Sequence, residues 1–84
     1  MEKETVYVVV DDLGKNSQGV DVALFRTKEE AERHFVRIVD DVMTNEGWIN
    51  EGETPENFDE VVDMVSSALE AGLRGEIGIL EREL

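Results

Sequence analysis

The sequence contains no cysteine. That absence excludes disulfide bonds, thiolate nucleophiles and zinc sites that need a cysteine ligand, and it fits a reducing compartment. The amino terminus is acidic where a secretory signal needs a basic region, and the apolar run at residues 6–10 is too short to span a membrane. We therefore expect a cytoplasmic protein.

Imidazole is nearly absent as well, since His34 is the single histidine. A catalytic zinc needs three protein ligands, and a serine nucleophile needs a base that an acid orients. Neither pattern, nor a glycine-rich phosphate loop, is found in the sequence. An EF-hand calcium loop fails too, because its first and third positions would be Val42 and Thr44. The sequence predicts a non-enzymatic protein without metal or cofactor, and we interpret His34 as an exposed or boundary residue.

Basic residues are scarce and unevenly distributed. The chain has 8 lysines and arginines against 21 acids, which gives a net charge of −13. Residues 1–37 hold eight acids and six bases, whereas residues 38–73 hold ten acids and no base. This charge, without a basic patch, argues against direct binding to nucleic acid or to an anionic membrane.

The chain nevertheless has the composition of a folded domain. Apolar residues make up 40% of the sequence and recur in periodic segments, which distinguishes it from disordered acidic tails. A length of 84 residues allows one domain and is too short for two. We expect a single domain over residues 1–84.

Three segments have the composition of β-strands. The β-branched and aromatic run at 5–10 predicts a central strand. Turn-forming residues at 11–19 predict a long hairpin loop, and the alternating segment 20–25 predicts the second strand of the hairpin. A last strand is expected at 76–84.

Two helices are expected between the second and third strands. Thr27 and Glu30 have the spacing of a capping box, which predicts that the first helix begins there. Thr54 is predicted as the N-cap of the second helix, with Pro55 at its first position and Gly72 just past its end. The apolar residues expected on the buried sides are Ala31, Phe35, Ile38, Val39, Val42 and Met43 in the first helix and Phe58, Val61, Val62, Val65, Ala68 and Leu69 in the second.

The order of these elements is ββααβ. Helices grouped between strands favour an α+β fold, in which a three-stranded, mainly antiparallel sheet carries both helices on one face.

The excess acid falls on the second helix and on the connection before it. Because that helix buries its apolar side, its carboxylates are expected on the solvent side, about 5–6 Å apart, a spacing of the same order as that of phosphates along a nucleic-acid strand. We predict a binding protein that occupies a basic, nucleic-acid-binding groove of a partner protein, by analogy of size and charge with DNA-mimic inhibitors of restriction or CRISPR nucleases. The expected partner-binding residues are Glu46, Trp48, Glu51, Glu53, Glu56, Asp59, Glu60, Asp63 and Glu70.

One alternative function stays open, and so does the role of Trp48. A small assembly domain would form a homodimer through a sheet edge or through apolar residues of the last strand, namely Ile77, Ile79, Leu80 and Leu84. Its acids would serve solubility or a high-salt cytoplasm, although the near balance of residues 1–37 is unlike a general adaptation to salt. Trp48, the only tryptophan, is expected either to close the core or to anchor an interface.

Overall fold

The computed structural model describes residues 4–14 and 20–83. In that part of the chain the elements are strands β1 (Thr5–Asp11), β2 (Asp21–Phe25) and β3 (Ile77–Glu83) and helices α1 (Lys28–Asn45) and α2 (Phe58–Ala71). The strands form one antiparallel sheet in the order β2-β1-β3, which confirms the predicted α+β fold and the central position of β1. Most of the predicted hairpin loop, residues 15–19, lies outside the described residues.

Alternation along the strands gives the sheet two different faces. On the first, Val9 of β1 pairs with Ala23 of β2 and Ile79 of β3, and it is only 1% exposed. Helix α1 lies against this face and contacts all three strands. The rings of Phe25 and half-buried His34 approach to 5.0 Å between centroids, which confirms His34 as a boundary residue. We call this the helix face of the sheet.

Helix α1 begins at the predicted cap. The hydroxyl of Thr27 accepts a hydrogen bond from the Glu30 amide at 3.2 Å. The Glu30 carboxylate accepts from that same hydroxyl at 2.9 Å, where a capping box predicts the Thr27 amide as donor. The predicted apolar side is confirmed, with four of its members buried and Ile38 and Val42 half-buried; the buried ones are Ala31, Phe35, Val39 and Met43.

The predicted start of α2 is wrong by three residues. The N-cap is Asn57, whose side-chain oxygen accepts from the Asp59 amide at 2.8 Å. Thr54, the predicted cap, instead donates its hydroxyl hydrogen bond to the Asp40 carboxylate on α1. Because that hydroxyl is used in holding the connection to α1, the helix begins at the next side chain with capping chemistry. Its predicted end is confirmed by Gly72, which has a φ of +127°.

The core lies between the helices and beneath the sheet. Val39 of α1 and Val61 of α2 are fully buried, and the rings of Phe35 and Phe58 meet edge to face with centroids 5.1 Å apart. Leu13 extends the core beyond the end of β1. The apolar side predicted for α2 is confirmed, with Val61, Val65 and Ala68 buried and Phe58, Val62 and Leu69 half-buried.

The turn after β1 is fastened to the connection between α2 and β3. The Asp12 amide donates to the Glu76 carbonyl at 3.0 Å, and the Gly14 amide donates to the Arg74 carbonyl at 2.7 Å. In return the Asp12 carboxylate accepts from the Glu76 amide at 2.5 Å. These bonds fix two chain segments that are at least sixty residues apart in sequence.

Candidate protein-binding surfaces

Four of the predicted carboxylates lie on one side of α2. At 100° per residue, Asp59, Glu60, Asp63 and Glu70 fall on the side opposite the buried residues of the helix, and all four are exposed. The distance along the axis from the first to the last is about 16 Å at 1.5 Å per residue. We call these four residues the α2 acidic stripe.

The other four predicted carboxylates lie in the connection between the helices. Glu46, Glu51, Glu53 and Glu56 are all exposed. Glu53 closes a local turn, since its carboxylate accepts from the Asn50 amide at 2.6 Å. The Glu46 carboxylate lies against the backbone of Gly14, beside the turn after β1. Of the eight carboxylates predicted to bind a partner, the structure therefore places four on a common side of α2 and four in the connection before it.

The acids of residues 38–73 are not neutralised by described bases. The ion pairs found within residues 4–14 and 20–83 join Arg26 to Glu4 at 3.1 Å and Lys28 to Glu32 at 3.9 Å, both outside that stretch. Neither helix has a basic residue in its last turn, so the partial negative charge of each carboxyl end adds to the acidic field. The stretch presents uncompensated negative charge to solvent.

Trp48 lies at the surface of the inter-helix connection. Its side chain is 38% exposed, and its amide donates to the Met43 carbonyl at 2.8 Å, which fixes the chain just after α1. The neighbouring Ile49 packs against the core. The core-closing position is thus occupied by Ile49, and Trp48 presents an indole surface next to the acidic connection.

A groove of about 480 Å³ separates α2 from β3. Helix α2 lies against α1 and away from the strands, so its half-buried side chains Phe58, Val62 and Leu69 face Ile77 and Ile79 of β3 across the gap. Ile77 and Ile79 also pack against the core. Strand alternation turns them toward the helices and Leu80 away from them. The prediction of a dimer surface on the last strand stays a prediction, and its fourth residue, Leu84, lies outside the described residues.

Tyr7 lies at the polar rim of this groove, paired with Glu81 of β3. Partial burial, the adjacent Glu81 carboxylate with its hydrogen bond to the hydroxyl, and the charge of Glu29 together raise the pKa of Tyr7 above its usual 10.0. The hydroxyl therefore stays protonated, as a hydrogen-bond donor, throughout the neutral pH range.

The second face of the sheet is covered by neither helix. Leu24, Val8 and Leu80 form one straight cross-strand row on it, and Val22, Val10 and Gly78 form the next. Val22 is 61% exposed and Leu24 66% exposed, and Val20, just before β2, is 55% exposed. An antiparallel sheet with one solvated face normally carries polar residues on that face. We call this surface, made of Val8, Val10, Val20, Val22, Leu24, Gly78 and Leu80, the open face.

Sequence reasoning missed the open face. The alternation of residues 20–25 was visible, but both alternating sets contain apolar residues, so the pattern did not show which set is buried. The pairing of Tyr7 with Phe25 settles this, since it puts Phe25 and Ala23 on the helix face. The larger side chains Val22 and Leu24 are thereby turned outward.

Clusters of metal-binding side chains and membrane-spanning helices are both absent from the described residues. Within 4–14 and 20–83, no group of three or more histidine or acidic side chains is arranged to hold a metal ion. None of the helices described there is long and apolar enough to cross a membrane.

Comparisons with known proteins give no match: no protein-family model, no curated protein and no solved structure is similar to this chain.

Proposed function

We propose that this chain is a non-enzymatic binding domain whose α2 acidic stripe occupies a basic, nucleic-acid-binding groove of a partner protein. The observation that supports the proposal is the stripe itself: four exposed carboxylates on one rigid helix side, in a stretch of 36 residues that contains no base. The domain would act as an inhibitor or regulator by taking the place of nucleic acid in the groove.

The dimensions of the stripe fit such a groove. A length of about 16 Å corresponds to roughly five phosphates at 3.4 Å per nucleotide. The helix fixes the backbone that carries these carboxylates before binding, so no backbone order is lost when they meet arginine or lysine side chains. The net charge of −13 adds long-range attraction that raises the association rate at low ionic strength.

The test compares two variants of equal charge. The stripe variant carries Glu60→Gln, Asp63→Asn and Glu70→Gln. The control variant carries the same loss of charge at exposed acids outside the stripe, with substitutions Glu4→Gln, Glu29→Gln and Glu76→Gln. Both change the net charge from −13 to −10. Each is titrated by calorimetry against a panel of purified nucleic-acid-binding proteins, with and without their own DNA or RNA.

We expect nucleic acid to compete with the domain for a responding panel member, and the stripe variant to lose at least about tenfold in affinity, or 1.4 kcal/mol. The control variant should lose less than half of that free energy, because its charges lie outside the contact. Equal losses in the two variants would show general charge attraction and would refute a role for the stripe.

The high-salt alternative is tested by thermal unfolding in dilute buffer and in about 1 M KCl, where the screening length is about 3 Å. We expect the domain to be folded in dilute buffer, because its core is closed by fully buried residues such as Val39 and Val61. A chain that folds only in molar salt would owe its acids to a saline cytoplasm, and the proposal would lose its main support.

A further inference from the structure

We infer that the open face is the interface of a homodimer, in which the sheets of two copies pack face to face about a two-fold axis. The inference is independent of the acidic stripe and concerns the opposite side of the sheet. Its basis is a cluster of apolar side chains at outward positions of all three strands: Val8 and Val10 on β1, Val22 and Leu24 on β2, and Leu80 on β3. Contiguous apolar side chains on the solvent side of a sheet are unusual, because a solvated sheet face normally carries polar residues.

The distribution of charge favours a second copy as the occupant. Among described residues of the three strands, the outward positions around the apolar rows carry one charge, Arg82, which pairs with Val6. Two acids, Asp12 and Glu76, lie at the end of the face beside Val10 and Gly78. The acidic stretch 38–73 lies on the helix side of the sheet. Two copies that meet through their open faces therefore keep their acidic sides apart, although each chain has a net charge of −13.

The shape of the face is self-complementary. Gly78 leaves a notch beside Val10, with no atom within 4 Å of the position that a Cβ would take. A two-fold axis parallel to β1 places β2 of one copy over β3 of the other, so that Val22 of each copy meets the notch of its partner. A two-fold axis perpendicular to the strands, in the plane of the interface, instead places Leu80 of each copy at the Gly78 notch of its partner. In both arrangements an apolar side chain fills the gap.

The size of the face sets the strength of the dimer. Five residues on each of three strands cover about 17 Å by 14 Å, roughly 240 Å² per copy. Stable complexes commonly bury about 800 Å² per partner. The open face is much smaller than that, so we expect at most a weak, reversible dimer that dissociates on dilution.

Sedimentation equilibrium of the whole chain, from about 1 µM to 1 mM, tests the inference. We expect the mean mass to rise from one chain to two. Leu24→Lys and Leu80→Lys, on the two edge strands, should each raise the dimer dissociation constant at least about tenfold, because each buries an ammonium group in the interface. Trp48→Lys is the matched control, since it exchanges an exposed apolar side chain outside the face and should leave the dimer unchanged.

Several outcomes would overturn the inference. A monomer at every concentration would mean that the face has a different occupant or none. A dimer that responds to a lysine on only one of the two strands would be an edge-to-edge pairing of β2 or β3. Circular dichroism of each variant checks that the fold is kept, as expected for positions that are 66% and 42% exposed. The stripe variant of the proposed function should dimerise normally, so failure of one idea leaves the other standing.

Discussion

A substitution at Gly75 tests the contact between the turn after β1 and the connection between α2 and β3. Its φ is +100°, and a Cβ added there would lie 2.4 Å from the carbonyl oxygen of Asp12 and 2.9 Å from the Cα of Leu13. Hydrogen bonds between the turn after β1 and the α2–β3 connection hold this backbone in place, so it cannot move away from the new Cβ without breaking them. Gly72 is the matched control, because its φ of +127° is also unfavourable but no atom lies within 4 Å of its Cβ position.

The difference between Gly75→Ala and Gly72→Ala isolates the close contact. A left-handed backbone costs an L-residue about 1–2 kcal/mol, and both variants carry a penalty of this kind. Forced overpacking adds about 1–3 kcal/mol at Gly75 alone. A domain of this length is stable by about 4–13 kcal/mol, so Gly75→Ala should remove a large share of the total.

Urea unfolding followed by far-ultraviolet circular dichroism measures both variants. We expect Gly75→Ala to lower the free energy of unfolding by at least 1 kcal/mol more than Gly72→Ala. Equal losses would show that the turn after β1 moves freely relative to Gly75, and the fastened contact described above would be wrong.

Two further predictions concern the helix start and the tyrosine. Asn57→Ala should lower the free energy of unfolding by about 1 kcal/mol in urea titrations, because the Asp59 amide loses its acceptor, whereas Asn57→Ser should restore most of it; no loss in the alanine variant would contradict the cap. The single tyrosine, Tyr7, should titrate above pH 10.0 in the folded protein when tyrosinate absorbance is followed. Because its folded pKa is raised, the associated stability is present below pH 10 and is lost as the pH rises through the folded pKa, and Tyr7→Phe should remove this pH dependence.

Much of the fold follows from local patterns in the sequence. The β-branched run at 5–10 and the capping residues Thr27 and Glu30 identify β1 and the start of α1 without tertiary information. The apolar periodicity of both helices gives their buried sides, and with them the solvent-facing positions of the α2 acidic stripe. These features depend on contacts between residues close in sequence, which a pattern can report.

The predictions fail where the local structure depends on residues that are distant in sequence. Thr54 and Asn57 are both suitable caps, and the choice between them depends on Asp40, fourteen residues before Thr54, which binds the Thr54 hydroxyl. Likewise, the outward direction of Leu24 depends on its register with Val8. The sequence predicted that both helices lie on one face of the sheet, but it did not show which residues the other face carries, because both alternating sets in β2 contain apolar residues.

Binding through the two proposed surfaces should respond to salt in opposite directions, so salt dependence distinguishes partner binding from dimerisation. Added salt screens the attraction between the α2 acidic stripe and a basic groove, whereas it screens the repulsion between two chains of charge −13 and so strengthens contact through the open face. A face-to-face dimer carries one stripe on each outer side. If a partner presents two basic grooves in reach of both stripes, the second contact becomes intramolecular and the avidity exceeds that of one stripe by orders of magnitude. Leu24→Lys would then weaken partner binding without touching an acid, an effect that a monomeric domain does not allow.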